Sequence, residues 1–148
     1  MQKIILIGCL IFLGACKQDF NQPFVEATPA KTAQINTQTN NGAVLDAFKN
    51  KKSDIFVEGS GVVKKLLPDD NKGARHQKFL LTISPEQTLL FAHNIDLAPR
   101  VADLQVGDDI SFRGEYVYNP KGGVVHWTHH DPNGKHVGWL KHNGKVYE

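Results

Sequence analysis

Alternating hydrophobic and polar positions mark much of the chain after residue 54. Between residues 77 and 83, the side chains of Phe79, Leu81 and Ile83 fall on one face. A period of two is expected for a strand that buries one of its faces. Similar β-rich runs occupy residues 55–63, 88–93, 110–118 and 124–128, and residues 137–147 predict a hairpin that turns at Asn143-Gly144.

One segment has a helical period instead. Within residues 43–51, the apolar residues Val44, Leu45, Ala47 and Phe48 follow the spacing of one helix face, which predicts a short amphipathic helix. Residues 94–103 separate the third and fourth strands as a loop or a short helix. Strands in this order predict a mainly β fold, namely a small OB-like Greek-key β-barrel with one short N-terminal helix and a C-terminal hairpin. A generic β-sandwich is the alternative.

The first predicted strand contains two glycines and is followed by turn-forming residues. Gly59 and Gly61 interrupt the β-rich run and predict a bulge or a sharp bend. Residues 67–73 carry proline, aspartate, asparagine and glycine, and we interpret them as a loop.

The beginning of the chain has the pattern of a secretory signal. Lys3 precedes an apolar run at residues 4–13 and a small-residue stretch that ends at Cys16. The apolar run is too short to span a bilayer as a helix. The segment Leu13-Gly14-Ala15-Cys16 resembles the lipobox of bacterial lipoproteins, which implies that residues 1–15 are removed and Cys16 is lipidated. Lys17 follows the cysteine in place of aspartate, and by analogy with Gram-negative sorting this favours the outer membrane, facing the periplasm. The alternative is an ordinary signal peptide with an incidental cysteine.

The composition changes after the lipobox. Residues 16–41 are rich in glutamine, asparagine and threonine and show no hydrophobic period, so we predict a lipidated cysteine followed by a disordered tether. Residues 42–148 form the predicted OB-like domain. The domain has no cysteine, which excludes catalysis by a cysteine nucleophile and zinc sites with cysteine ligands. The formal net charge of +2 makes nucleic acid an improbable partner, and we expect a monomer.

Several segments of the predicted domain resemble a family of small bacterial exported or lipid-anchored domains of unknown function. The resemblance covers nearly the whole domain, and the family is marked by a His-Trp-Thr-His segment. It implies a shared fold and a shared export route, but no reaction. The segments that carry it are residues 67–70, 75–79, 93–100 and 122–129.

Histidines are concentrated near the end of the chain, with five of the seven between His126 and His142. Neutral imidazoles and a carboxylate suit Zn²⁺ or another divalent transition metal. In an extended strand, His126 and His129 point to opposite faces, so a shared site requires a bend after Thr128 or ligands from the following loop. The alternative is a set of histidines that only cap loops. The candidate metal ligands are His126, His129, His130, Asp131 and His136.

A second polar cluster is predicted where two neighbouring strands meet. His76 begins the second strand and His93 ends the third, so an antiparallel hairpin brings these ends together. Imidazoles and arginines at a barrel end suit an anionic ligand or a scissile phosphodiester. The alternative is a buried polar network that fastens the loop after the third strand. The candidate ligand-binding residues are Arg75, His76, Gln77, His93, Asn94, Asp96 and Arg100, of which His76, His93 and Arg100 are the catalytic candidates.

Three functions remain open from the sequence. The first is a lipid-anchored periplasmic binding domain with a His-rich polar site for a small ligand or an envelope protein. The second is a metal- or His-dependent hydrolase that acts on phosphodiester-type bonds. The third is a structural envelope lipoprotein whose polar clusters only stabilise the fold.

Overall fold

The structure is a computed structural model that describes residues 41–148, all within one compact unit. The predicted signal peptide (residues 1–15), the lipidation site Cys16 and the predicted tether up to residue 40 lie outside the described residues. Among residues 41–148, no helix is long and apolar enough to cross a lipid bilayer.

The described chain is mainly β, as the sequence predicts, with one short helix near its beginning. The predicted C-terminal hairpin is confirmed: Asn143 and Gly144 have φ angles of 48° and 79°, as a two-residue type I′ turn requires. The elements are α1 (Gly42–Lys49), β1 (Ile55–Asp70), β2 (His76–Ser84), β3 (Gln87–Asn94), β4 (Asp109–Val117), β5 (Val124–His126), β6 (Trp139–His142) and β7 (Lys145–Tyr147).

The strands pair in a ring. β1 pairs antiparallel with β2 through its C-terminal half and with β4 through its N-terminal half. β2 pairs antiparallel with β3, β3 pairs parallel with β5, and β5 returns antiparallel to β4. The order β1-β2-β3-β5-β4-β1 is that of an OB-like Greek-key barrel. The β6–β7 hairpin extends the sheet from the edge of β4 that β5 also uses.

β1 differs from its prediction in length and in the position of its bulge. The strand continues to Asp70, so residues 67–70 are strand and not loop. One bulge lies at Lys64, because Val63 and Lys65 pair with the consecutive residues Leu81 and Leu80, and the register shifts again between Leu67 and Asp70. Gly61 instead allows β1 to lie close to β2, because a Cβ at this position would clash with a backbone carbonyl of β2.

The core fills the ring with aromatic and aliphatic side chains. Phe79 and Phe91 stack with ring centroids 5.0 Å apart, and Phe112 meets Phe91 edge-on at 4.9 Å. Each of these fully buried side chains contributes about 1.5–3 kcal/mol through burial alone. The predicted helix is confirmed and lies against this core, since Val44 and Ala47 are fully buried.

Candidate functional site

β5 ends at His126, two residues earlier than the sequence predicts, and the bend that follows forms part of the candidate site. Trp127 has a φ of 50°, a left-handed conformation that bulky residues rarely adopt, so the chain leaves the strand direction directly after His126. Gly138 packs against the turn, where a Cβ would clash with the Trp127 carbonyl oxygen. Its N–H donates a hydrogen bond of 3.1 Å to the carbonyl oxygen of His129. The bend lies before Thr128, and not after it as predicted from the sequence, and it brings His126 and His129 to the same cavity.

This cavity, which we call the histidine cavity, has a volume of about 160 Å³. His76 and Asn94 are cross-strand partners on β2 and β3 and form one side of it. The cavity therefore combines one histidine from the predicted ligand cluster with two from the predicted metal cluster. Its lining residues are His76, Ala92, Asn94, Leu97, His126, Trp127 and His129.

His126 is held by a carboxylate on the neighbouring strand. Its Nε2 lies 3.3 Å from Oε2 of Glu115, its partner in the β4–β5 register. Partial burial lowers the pKa of His126, and the nearby Glu115 opposes this shift, while the imidazoles of His76 and His129 reinforce it. The neutral imidazole is therefore favoured, and a neutral ring can accept a proton.

His129 is almost fully buried, with a fixed ring orientation. Its Nδ1 lies 2.8 Å from the carbonyl oxygen of His130, which can only accept, so Nδ1 carries the proton of this hydrogen bond. In the neutral ring, Nε2 then holds the lone pair. The indole of Trp127 lies beside the imidazole, with ring centroids 5.4 Å apart. His129 is thus oriented in the way that suits an acceptor for a ligand proton.

His93 is a buried support beneath the cavity. Its Nε2–H donates to the Pro99 carbonyl oxygen at 3.0 Å, and its Nδ1 accepts from the Thr128 hydroxyl at 2.8 Å. Burial lowers the pKa of His93 to about 4, so the ring is neutral at pH 7. Because both ring nitrogens are used, His93 is not available as a catalytic group. It ties the segment Trp127–His129 to the loop that follows β3.

Gln77 fastens the same loop by a second route. Its amide nitrogen donates to the Val101 carbonyl oxygen at 3.1 Å, and its amide oxygen accepts from the Val101 N–H at 2.9 Å. For Gln77 and His93, the structure therefore favours the alternative predicted from the sequence, a buried polar network that fastens this loop.

The charged members of the predicted ligand cluster form ion pairs with other side chains. Arg75 binds Asp96 with two hydrogen bonds, from Nε at 2.6 Å and from its backbone N–H at 2.7 Å. Arg100 forms an ion pair with Asp69 and lines a different cavity. The expectation that Arg100 surrounds the same site as His76 is therefore corrected, because the ion pair holds it with β1.

The predicted metal ligands do not converge. The Asp131 carboxylate caps a turn by accepting from the N–H groups of Asn133 at 2.9 Å and Lys135 at 3.2 Å. His136 stacks on Phe56 at 4.8 Å, and His130 is exposed. Within residues 41–148, no three His, Cys, Asp or Glu side chains are arranged to hold a metal ion. Of the predicted set, only His126 and His129 share a cavity, so the metal prediction gains no support.

The family described as "Protein of unknown function (DUF3465)" matches residues 28–148. The chain belongs to this family. No curated protein matches the chain. The matched range contains every residue of the histidine cavity, and membership brings no known activity with it. The resemblance in the sequence is thus confirmed as a family of unknown function, while the His-Trp-Thr-His mark and the export route stay predictions.

Two important residues of this DUF3465 member were missed from the sequence. Glu115 enters the site only through its register opposite His126, which the spacing of the strands does not give. Trp127 was visible inside the His-Trp-Thr-His segment, but its role depends on a backbone bend that no local signal announces.

Proposed function

We propose that this protein is a lipid-anchored binding domain of the outer membrane that faces the periplasm and holds a small polar ligand in the histidine cavity. The lipobox-like segment that ends at Cys16 supports the proposed lipid anchor. Lys17, which follows the cysteine, supports the proposed location in the outer membrane. Several acyl chains on one N-terminus suffice for stable attachment. Fractionation tests this part: Cys16→Ser should leave the outer-membrane fraction, and Cys9→Ser, the control within the predicted signal, should not.

The observation that carries the binding proposal is the convergence of three imidazoles from two separate parts of the chain. His76 comes from the start of β2, His126 from the end of β5, and His129 from the loop beyond. The ring of strands is held by backbone pairings and an aromatic core, neither of which includes these imidazoles. Polar groups gathered in a concave site and held by supporting contacts are typical of ligand binding.

The size and chemistry of the cavity limit the ligand. A volume of about 160 Å³ matches the space of about five water molecules, so the ligand is small or inserts one group of a larger molecule. The Asn94 amide can donate a hydrogen bond and Nε2 of His129 can accept one, which favours ligand oxygens that include a hydroxyl, such as those of a hydrogen phosphate or a sugar. The Trp127 indole supplies a flat apolar wall beside them.

Thermal melting of the full-length chain with acetate, citrate, inorganic phosphate and a hexose tests the proposal. A ligand present at one hundred times its dissociation constant should stabilise the wild type by about 2.7 kcal/mol. His76→Gln should remove the stabilisation, because it removes one of the three imidazoles that line the cavity, whereas His130→Gln, which changes an exposed histidine outside the cavity, should retain it. If no probe stabilises the wild type, or if both variants lose the effect equally, the histidine cavity is not the binding site.

The pairing of His126 with Glu115 favours a second candidate, a hydrolase of phosphodiester-type bonds. A neutral imidazole oriented by a carboxylate is the arrangement of a general base, which typically contributes about 10²–10⁴ in rate. The model substrate bis(p-nitrophenyl) phosphate distinguishes the two functions. The hydrolase requires turnover that His126→Gln abolishes without a change in melting temperature, and the binding domain requires no turnover. Loss of stability alone in the cavity variants would instead indicate a structural lipoprotein.

A further inference from the structure

A second cavity lies on the outer face of β1, β2 and β3 and shares no lining residue with the histidine cavity. We call it the leucine cavity, after Leu67, Leu80 and Leu90 on its floor. Its volume of about 420 Å³ falls within the range of small-molecule sites. In OB-folds, the face of the second and third strands beside the β4–β5 loop is a common binding surface.

The floor is aliphatic where an outward-facing strand surface is ordinarily polar. Leu80 and Leu90 are direct cross-strand partners, and Leu67 on β1 continues the apolar strip. All three side chains are only partly buried. Bases and sugars are held by stacking on aromatic rings, and among residues 41–148 no aromatic side chain lines this cavity. An aliphatic floor is complementary to an aliphatic chain.

Two lysines stand at the rim. Lys64 occupies the bulge of β1, a feature that re-aims side chains in a strand. Lys121 lies in the β4–β5 turn, where its N–H donates to the Asn119 side-chain oxygen at 2.8 Å. Gly123, at the end of this turn, packs closely against the Tyr116 ring, with which an added Cβ would clash. The rim is therefore built into the fold.

The charge of the rim favours an anion. Within residues 41–148, the ammonium groups of Lys64 and Lys121 have no ion-pair partner. Glu86 also lines the cavity, and its carboxylate lies 3.3 Å from the Ser84 hydroxyl. The lining thus carries two positive charges and one negative charge, which leaves one positive charge for a ligand.

We propose that the leucine cavity binds a single aliphatic chain that ends in a carboxylate. The chain lies on Leu67, Leu80 and Leu90, and the carboxylate meets Lys64 and Lys121. This site is independent of the ligand proposed for the histidine cavity.

Titration calorimetry of the full-length chain with octanoate and with uncharged 1-octanol tests this proposal. Octanoate should bind more tightly than 1-octanol. Leu90→Thr should weaken both ligands about tenfold or more, since it removes apolar contact. Threonine is compatible with this face, because Thr88 lies two residues away on the same side of β3. Lys121→Gln should weaken octanoate alone, and the matched exposed control Lys141→Gln should change neither affinity.

Three outcomes overturn the proposal. The first is the absence of octanoate binding to the wild type. The second is octanoate binding that Leu90→Thr, confirmed as folded by its melting curve, leaves unchanged; Leu80→Thr provides a second variant if the first does not fold. The third is binding to phosphatidylglycerol vesicles that Lys64→Gln and Lys121→Gln abolish but Leu90→Thr does not, which indicates a membrane-contact surface and not an acyl-chain site.

Discussion

His93 illustrates how one buried side chain links the core to the candidate site. The unfolded chain protonates this histidine near pH 6.5, whereas burial holds its pKa at about 4 in the folded protein. Its contribution to stability is therefore fully present above pH 6.5 and is lost as the pH falls towards 4.

We predict that the free energy of unfolding falls by about 2 kcal/mol between pH 7 and pH 5 because of His93. Urea denaturation at the two pH values measures the difference. His93→Gln should be less stable at pH 7 but should lose most of this pH dependence, whereas His130→Gln should keep it. An unchanged slope in His93→Gln would show that the buried neutral imidazole is not its source.

The sequence identified the histidines but not their grouping. The start of β2 and the end of β3 lie side by side as predicted, with His76 opposite Asn94 and Gln77 opposite His93. Because side chains alternate between the two faces of a strand, His76 and His93 lie on opposite faces of the sheet. His76 lines the cavity, whereas His93, opposite Gln77, is buried. The ion pairs that withdraw Arg75 and Arg100 join segments distant in the chain, so no local pattern reveals them.

Among the elements, the segment from Trp127 to Gly138 determines the site. Its ends are held together by the His129–Gly138 hydrogen bond and by a bridge between His130 and Val137. The sequence predicted strand through residue 128 because Trp127 and Thr128 both favour β structure. Tertiary packing prevails there, since Gly138 permits the close approach that turns the chain.

Gly138→Ala should destabilise the protein by about 1–3 kcal/mol and displace His129, because the added Cβ clashes with the Trp127 carbonyl oxygen. Melting curves and the NMR signals of the His129 ring measure the two effects. Gly134→Ala is the matched control in the same loop: it has a φ of 69° but open space around a Cβ, so a modest loss of stability should leave His129 undisturbed. Equal displacement of His129 in both variants would contradict this role of Gly138.

At the scale of the whole molecule, the ring of strands brings the distant cavity residues together. The parallel pairing of β3 with β5 places Asn94 and His126 at one end of the ring, although they lie 32 positions apart in the sequence. The sequence predicted the strand order and the OB-like class from the spacing of β-rich runs. The register of the strands and the bulge at Lys64 depend on tertiary packing, which the sequence pattern does not reveal. The sequence therefore did not predict the residues that line either cavity.

The most direct test of this account is whether His76 and His126 share one cavity, and NMR titration of the seven imidazole rings measures it. The positive charge of a protonated His76 lowers the pKa of His126. We therefore predict that His76→Gln raises the pKa of His126, whereas His130→Gln leaves it unchanged. A pKa of His126 that does not respond to His76→Gln would show that the two rings do not meet, and the histidine cavity could not then be the ligand site.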